Sequence, residues 1–328
     1  MLPVESLCEL RGRLDPALRL NLARKPTPLQ PLPRLSELLG ASIYCMRDDQ
    51  TGFGFGGNKI RKLEYLLYEA RKLRSDTLVT CGSNQSNWCC MAAVAGAVLG
   101  MEVRLVLGGA QPLRDTGNIR LARIVGARMS HVDTSDGDEL ERASQALTQE
   151  LQAQGKRPYR MIMGGSTGLG ALGYAEAFSE IVQFERTAGV TFSKVIHASG
   201  SAGTQAGLIA GAMLNDWRGD IIGMAVSRSS AEQRQKVHGV LRQVMAEHLI
   251  ETRRILVEDA FVGAGYRQNT QACLAAIETF ALREGIFLDE VYTGKAAAGL
   301  IEYARDRRFA RDEHVLFLHT GGAAQLFE

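Results

Sequence analysis

Apolar residues along this chain recur in two rhythms that take turns. In "KIRKLEYLLYEARKL", Ile60, Leu63, Leu66 and Leu67 fall at the spacing of one helix face. On either side, "SIYCMRDD" and "TLVTCGSNQSN" read as short strands, the first ending in charge and the second running into a polar loop. "WCCMAAVAGAVLG" follows as a helix of small residues, buried all round, and "EVRLVLGG" as the next strand. The alternation goes on through "NIRLARIVGA", "RMSHVD" and "ELERASQALTQELQAQG". A second run begins near residue 160. It comprises "YRMIMGGSTGLGALGY", a helix to about Thr187, the strand "SKVIHAS", the loop "GSAGT", the helix "QAGLIAGAML" and the strand "DIIGMAVS". Helices around 231–249 and 270–284 precede the closing "HVLFLHTGGAAQLF". Strand and helix in alternation predict an α/β fold with open, largely parallel sheets.

Ahead of this pattern lies "KPTPLQPLPRL", whose four prolines, Pro26, Pro28, Pro31 and Pro33, argue against a regular helix and for an extended arm. At 328 residues the chain has room for one large α/β unit or two packed domains. Its 38 basic and 36 acidic residues leave a net charge of +2, too balanced for a nucleic-acid partner. No run of ~18 apolar residues suits a membrane span. The six cysteines, Cys8, Cys45, Cys81, Cys89, Cys90 and Cys273, form no zinc-type spacing, so no metal site is expected and the thiols read as reduced. A cytoplasmic protein is the expectation that follows.

Two glycine clusters carry candidate chemistry. Gly52, Gly54 and Gly57 satisfy G-x-G-x-x-G between a strand and a helix, but the acid that would hold a dinucleotide ribose is missing after "TLVTC", where Gly82, Ser83 and Asn84 stand instead. The second cluster, "SGSAGTQAG", has the parts of a monophosphate site. Gly200 and Gly203 let backbone approach an anion, Ser201 and Thr204 add hydroxyls, and a helix begins near Gln205. Lys59, with Arg61 and Lys62 close by, is a candidate imine-forming amine, because burial or neighbouring positive charge would strip its proton. Ser86 and Asn87 in "SNQSN" could relay a proton and bind a phenolic oxygen. Each string alone has a plainer reading as a turn, a cap or a solvated helix start.

Taken together they do not. The ordered series "PTPLQPLPRL", "RDD", "GGNKIRKLEYL", "QSN", "GGSTGLGALGY", "SGSAGTQAG", "VSRS", "GYRQN", "VYTGKAAAGLIE" and "LHTGGAAQLF" resembles the D-cysteine desulfhydrase and 1-aminocyclopropane-1-carboxylate deaminase family of fold-type-II pyridoxal-phosphate enzymes. The resemblance spans nearly the whole chain. It implies pyridoxal 5'-phosphate as cofactor, Lys59 as Schiff-base lysine and Asn87 as partner of the phenolic oxygen. Gly200, Ser201, Ala202, Gly203 and Thr204 become the phosphate cup, and Ser86 a substrate-carboxylate contact or proton relay. Tyr266 and Tyr292 would stand beside the substrate or cofactor ring, and Thr293 and Thr320 on the ring-nitrogen side. It also implies a large domain of residues 1–59 and 165–328, a smaller one of 60–164 with the cofactor in the cleft, and a homodimer.

The deaminase branch resembles "VYEGK" and "HLGG" where this chain has Thr293 and Thr320. A hydroxyl supports ring protonation less than a carboxylate does, which favours β-elimination over ring opening. The expected activity is therefore elimination from a small amino acid, D-cysteine first, giving pyruvate, ammonia and sulfide. Elimination from L-cysteate or a specialised amino acid, 1-aminocyclopropane-1-carboxylate deamination and a non-catalytic cofactor-binding protein are the alternatives. Trp88 departs from the family's "QSNH" or "QSNQ", and Asn84 replaces an apolar residue on the same loop. Both are expected to reshape the substrate side, with Trp88 a substrate contact beside Ser86 and Asn87.

Overall fold

The strands sort into two sheets, each covered by helices. The computed structural model describes residues 2–328. Its first segment carries α1 (Leu7–Arg13), β1 (Leu29–Pro31) and α2 (Pro33–Leu39), then β2 (Ser42–Arg47) and α3 (Lys59–Lys72). Next come β3 (Thr77–Ser83), α4 (Asn87–Leu99), β4 (Glu102–Gly108), α5 (Gly117–Ile124), β5 (Arg128–Val132), α6 (Gly137–Ala153) and β6 (Pro158–Arg160). The rest is α7 (Gly168–Ala188), β7 (Phe192–Ser199), α8 (Gly203–Leu214), β8 (Asp220–Ala225), α9 (Ser230–Val244), β9 (Leu256–Glu258), α10 (Gln271–Glu284), α11 (Thr293–Arg305) and β10 (His314–His319). The larger sheet runs β1-β2-β10-β7-β8-β9 and the smaller β5-β4-β3-β6. Every pairing is parallel except β1 with β2. The α/β class read from the alternation is the one observed.

One expectation is corrected. The proline arm does not stay extended beyond β1, because Pro33 opens α2 in the first helical turn, where a missing N–H breaks no bond. Gly40, left-handed at φ 68°, closes the same helix.

Between the two sheets lies α3, buried along most of its length. Ile60, Leu63, Leu66 and Leu67 join the core of the smaller sheet, while the other side packs on α7. Three charged residues of this helix, Arg61, Lys62 and Glu64, are also buried, and two of them are fully matched. Arg61 donates to Asp48 through Nε (2.9 Å) and Nη2 (2.8 Å), and to Glu180 through Nη1 (2.6 Å). Asp48 further accepts from Thr27 (2.9 Å) and from the Tyr174 hydroxyl. Glu64 accepts the N–H groups of Leu22 (2.7 Å) and Ala23 (2.8 Å) and the Lys25 ammonium (2.6 Å), which ties the arm to the helix. Removing one partner of such a network leaves another charge buried and unpaired. Arg61→Met should therefore lower unfolding free energy by about 3–5 kcal/mol, read as a reduced urea midpoint.

Candidate active site

Four chain segments meet at the carboxyl ends of the parallel strands, the usual place for a ligand crevice in such sheets. From β2 the chain turns through the glycine loop into α3. Gly56 (φ 73°) passes so near the Asp49 carbonyl that an added Cβ would overlap it, so only glycine closes this turn. The Gly57 N–H bonds Asp48 O (2.8 Å) and the Asn58 N–H bonds Thr320 O (2.9 Å), which fixes the start of α3 against the loop after β10. Lys59 is the first residue of that helix. Burial, partly offset by the nearby Asp289 carboxylate, lowers its pKa to about 8.

Against the start of α3, through Asn58 and Lys62, lies the turn from β7 into α8. Ala202 adopts φ 75° at the N-cap, a conformation unusual for a residue with a Cβ. In the first turn of α8, which begins at Gly203, the Gly203 N–H donates to Ser166 Oγ (3.4 Å) while the N–H groups of Thr204 and Gln205 have no partner within the helix. A Cβ added at Gly203 would lie 3.0 Å from both Lys62 Nζ and Ser166 Oγ, so the turn and these polar groups enclose one small polar space. Ser201 Oγ accepts from Ser166 Oγ (2.8 Å), and Thr204 Oγ1 accepts from the Asn58 amide (3.1 Å). Lys62, fully buried, bonds the Gly164 carbonyl (3.3 Å). Burial first, and then Lys59, hold its pKa well below the ordinary value. Backbone N–H groups, hydroxyls and a buried ammonium around one cradle are the donor set a phosphate dianion requires. The residues present thus fit the phosphate of pyridoxal 5'-phosphate.

The smaller sheet supplies the opposite wall. Ser86 caps α4, its Oγ accepting the Cys89 N–H (3.2 Å). Asn87 follows, and its Oδ1 accepts from Asn118 Nδ2 (2.7 Å), which leaves the Asn87 NH2 as the donor end. Asn118 is itself fixed by Gln85, to whose backbone O (3.0 Å) and Oε1 (2.8 Å) it donates. From the larger sheet, the Tyr292 ring lies beside Gly200, and its hydroxyl meets that of Tyr266 at 2.6 Å. Burial, reinforced by Tyr266, holds the Tyr292 pKa well above its usual value, so that hydroxyl keeps its proton. Lys295 steadies the Tyr266 loop by donating to Val262 O (2.7 Å) and Gly265 O (2.8 Å).

Three sequence expectations change here. Trp88 does not face the substrate side. It is 2% exposed in the core of the smaller sheet, and its indole N–H donates to Thr80 Oγ1 (2.7 Å). At the second position of an all-apolar helix the large ring gains more from the core than from the cleft. Asn84 also points elsewhere, bonding Ala110 O (2.8 Å) and His131 Nδ1 (3.0 Å) behind the loop. Thr293 is buried at the start of α11, but its hydroxyl donates to Asp289 (2.6 Å) and accepts the Asp289 N–H (2.8 Å). Both capacities are used, and Thr320 is the threonine left beside the Lys59 turn.

Asn118 and Asp289 had no role in the sequence reading, and Lys62 entered it only as positive charge near Lys59. For Lys62 a signal existed: three residues after Lys59 on a helix, it shares that lysine's face. Asn118 stands more than thirty residues from Asn87, which it orients, and Asp289 more than two hundred from Lys59, whose charge it favours, and no local pattern announces that.

Comparison with known proteins agrees with this geometry. A family model described as "Pyridoxal-phosphate dependent enzyme" matches residues 20–321. The chain is 41% identical over 318 residues to D-cysteine desulfhydrase of Salmonella typhi, covering 94% of this chain and 95% of that protein. The Klebsiella pneumoniae (strain 342) D-cysteine desulfhydrase matches with the same identity and coverage. The crystal structure of an ACC deaminase homologue superposes with a TM-score of 0.89 at 36% identity, over 97% of this chain and 96% of that one. An L-serine ammonia-lyase from Rhizomucor miehei, 18% identical over 95% of this chain and 96% of that one with a TM-score of 0.68, shares the fold. The site and fold define a pyridoxal-phosphate enzyme of fold type II. The chain belongs to the pyridoxal-phosphate-dependent enzyme family, in the branch that holds D-cysteine desulfhydrase and the ACC deaminase homologue.

Because Trp88 is a core residue with one buried hydrogen bond, Trp88→Phe should lower stability by about 1 kcal/mol and leave the order of substrate preference unchanged. Urea denaturation and steady-state kinetics on D-cysteine, L-cysteine and 1-aminocyclopropane-1-carboxylate check this. A changed preference order would return the indole to the substrate side.

Proposed function

We propose that this protein is a pyridoxal-phosphate-dependent lyase that eliminates sulfide from D-cysteine, leaving pyruvate and ammonia. The observation that carries the reading is a half-buried lysine, Lys59, whose pKa desolvation lowers to about 8, one helical turn before Lys62, the fully buried lysine of the phosphate cradle. The D-cysteine desulfhydrases to which the chain is 41% identical support the choice of substrate.

When bound through its aldehyde carbon to Lys59 Nζ, the cofactor supplies an electron sink for the pair left at the substrate Cα. The first turn of α8 with Ser201, Thr204 and Lys62 would hold its phosphate. Asn87, oriented by Asn118, would donate to its phenolic oxygen, and Thr320 would lie on the ring-nitrogen side. The hydroxyl of Ser86 and the free N–H groups of α4 suit the substrate carboxylate. The Lys59 amine would serve as the base for the Cα proton. The Tyr292 hydroxyl, with its proton retained and Tyr266 beside it, is placed to protonate the departing sulfur.

We also infer a homodimer, which the family resemblance supports, and a cytoplasmic location, which the free state of all six cysteines and the burial of five support. Among the described residues no helix is long and apolar enough to cross a membrane.

Lys59→Ala should abolish both the visible cofactor absorbance and pyruvate release from D-cysteine while retaining the wild-type circular dichroism. Borohydride reduction and mass spectrometry should find the phosphopyridoxyl adduct on Lys59; an adduct on Lys62 would overturn the assignment. A pH dependence follows as well. Only the neutral amine attacks an aldehyde, so cofactor capture by the apoprotein should accelerate about tenfold per pH unit below pH 8 and level off above it. Stopped-flow absorbance reads this directly, and a midpoint near the ordinary lysine value would mean that Lys59 is not desolvated. Gly203→Asp, which brings a carboxylate into the cradle, should weaken cofactor binding at least a hundredfold, a loss of about 2.7 kcal/mol, as measured by equilibrium titration.

A further inference from the structure

A cavity of about 250 Å³ opens beside Asn87, and the proposed elimination from D-cysteine has no use for it. Phe55 from the glycine loop, Met91 and Val94 from α4, and Leu121 and Ile124 from α5 form its walls. Gly56 and Gly322 carry it to the Lys59 turn, where Gly322 lies so near Asp289 that an added Cβ would meet its carboxylate at 2.6 Å. The cavity therefore adjoins the proposed cofactor site and shares Asn87 with it.

Its chemistry is one-sided. No lining residue is charged, and its two amides, Asn87 and Asn118, are bonded to each other. A sulfonate or second carboxylate would find no counter-charge there, whereas an apolar group would bring Phe55 and Ile124, 55% and 71% exposed, out of water. A bare thiol is too small to fill it, since an apolar cavity of about 150 Å³ already holds benzene.

We propose that this cavity is a subsite for an apolar organic group carried on the substrate's sulfur, so that the enzyme cleaves β-thioether amino acids and releases a thiol. The inference rests on the lyase reading and narrows its substrate class. The proton leaves Cα, and the Cβ–S bond breaks with its electron pair passing to sulfur, which leaves as R–SH after taking a proton. The three-carbon fragment takes up one water and yields pyruvate and ammonium. Nothing is oxidised or reduced.

The test uses the holoenzyme, S-benzyl-D-cysteine and D-cysteine, with pyruvate release as the common readout. In wild type the kcat/KM ratio of the benzyl thioether to D-cysteine should be tenfold or more, the scale on which an apolar pocket discriminates. Ile124→Glu, at an exposed wall position expected to tolerate the change, should cut that ratio at least tenfold, and Leu121→Ala should cut it in the same direction. A wild-type ratio of one or below, or a ratio unchanged in both variants, overturns the subsite and leaves the lyase reading intact. If Ile124→Glu lowers the mass seen in sedimentation with the ratio unchanged, the cavity is a subunit interface and the proposal falls. Turnover of neither substrate overturns the lyase reading itself, and the subsite with it.

Discussion

The site depends on how α3 is held. A helix with three buried charges, Arg61, Lys62 and Glu64, is costly to place between two sheets, and desolvation alone would expel it. Arg61 and Glu64 are instead answered on one side, by Asp48 and Glu180 and by the proline arm with Lys25. At 3.6 residues per turn Lys59 and Lys62 lie about 200° round the helix from that pair. Once Arg61 and Glu64 are docked, the rotation of α3 is set and Lys62 faces the cradle. The acidic groups that make the helix bearable thus pair with Arg61 and with Glu64's partners rather than with Lys59 or Lys62, and of these two lysines only Lys59 feels a nearby carboxylate, Asp289. Burial lowers both pKa values, which prepares Lys59 for covalent chemistry, while at Lys62 a bound anion would offset the cost of burying the charge.

The two sheets divide the work. The phosphate cradle, the tyrosine pair and Thr320 come from the larger sheet, and Ser86, Asn87 and the apolar cavity walls of α4 and α5 come from the smaller. The halves are joined through α3 and the loops that grip it, and again where the Gln325 amide donates to Gln85 O (3.3 Å), so substitutions on α4 and α5 away from Asn87 and Asn118 bear mainly on the cavity walls. Asn118 is where the division is least clean. It orients Asn87 and lines the cavity at once, so the same residue bears on the phenolic oxygen and on the substrate's far end.

The sequence was legible where chemistry is written in consecutive residues. Lys59 between its glycine turn and its helix, and the Gly200–Thr204 turn between β7 and α8, are local motifs with local geometry. Trp88 was not legible, because α4 is apolar on every face and the side on which a ring is buried depends on Thr80 and Gly165 across the sheet. Helix α2 was hidden by its prolines, whose effect depends on whether they fall in the first turn or later. The three-residue strands β6 and β9 are too short to show a period. Lys62 was visible as a residue but not as a buried one, since its burial comes from Gly164, Ser166 and Gly203, about a hundred residues or more away.

The threonine pair shows how far a motif can mislead even when its residues are read correctly. Thr293 and Thr320 occupy the two places expected to face a ring nitrogen, and from the sequence they look equivalent. In the fold Asp289 accepts the backbone N–H groups of Val291 (2.9 Å), Tyr292 (2.7 Å) and Thr293 (3.0 Å) as well as the Thr293 hydroxyl, so it serves as the cap of α11. Its charge is spent on orienting that helix and on the field at Lys59. On the proposed reading one neutral hydroxyl, Thr320, would remain for the ring nitrogen, and a hydroxyl does little to keep such a nitrogen protonated. A weaker electron sink suits reactions in which a good leaving group departs as the Cα pair forms. A thiolate is such a group, and under the proposed subsite the apolar walls of α4 and α5 would choose which thiolate it is.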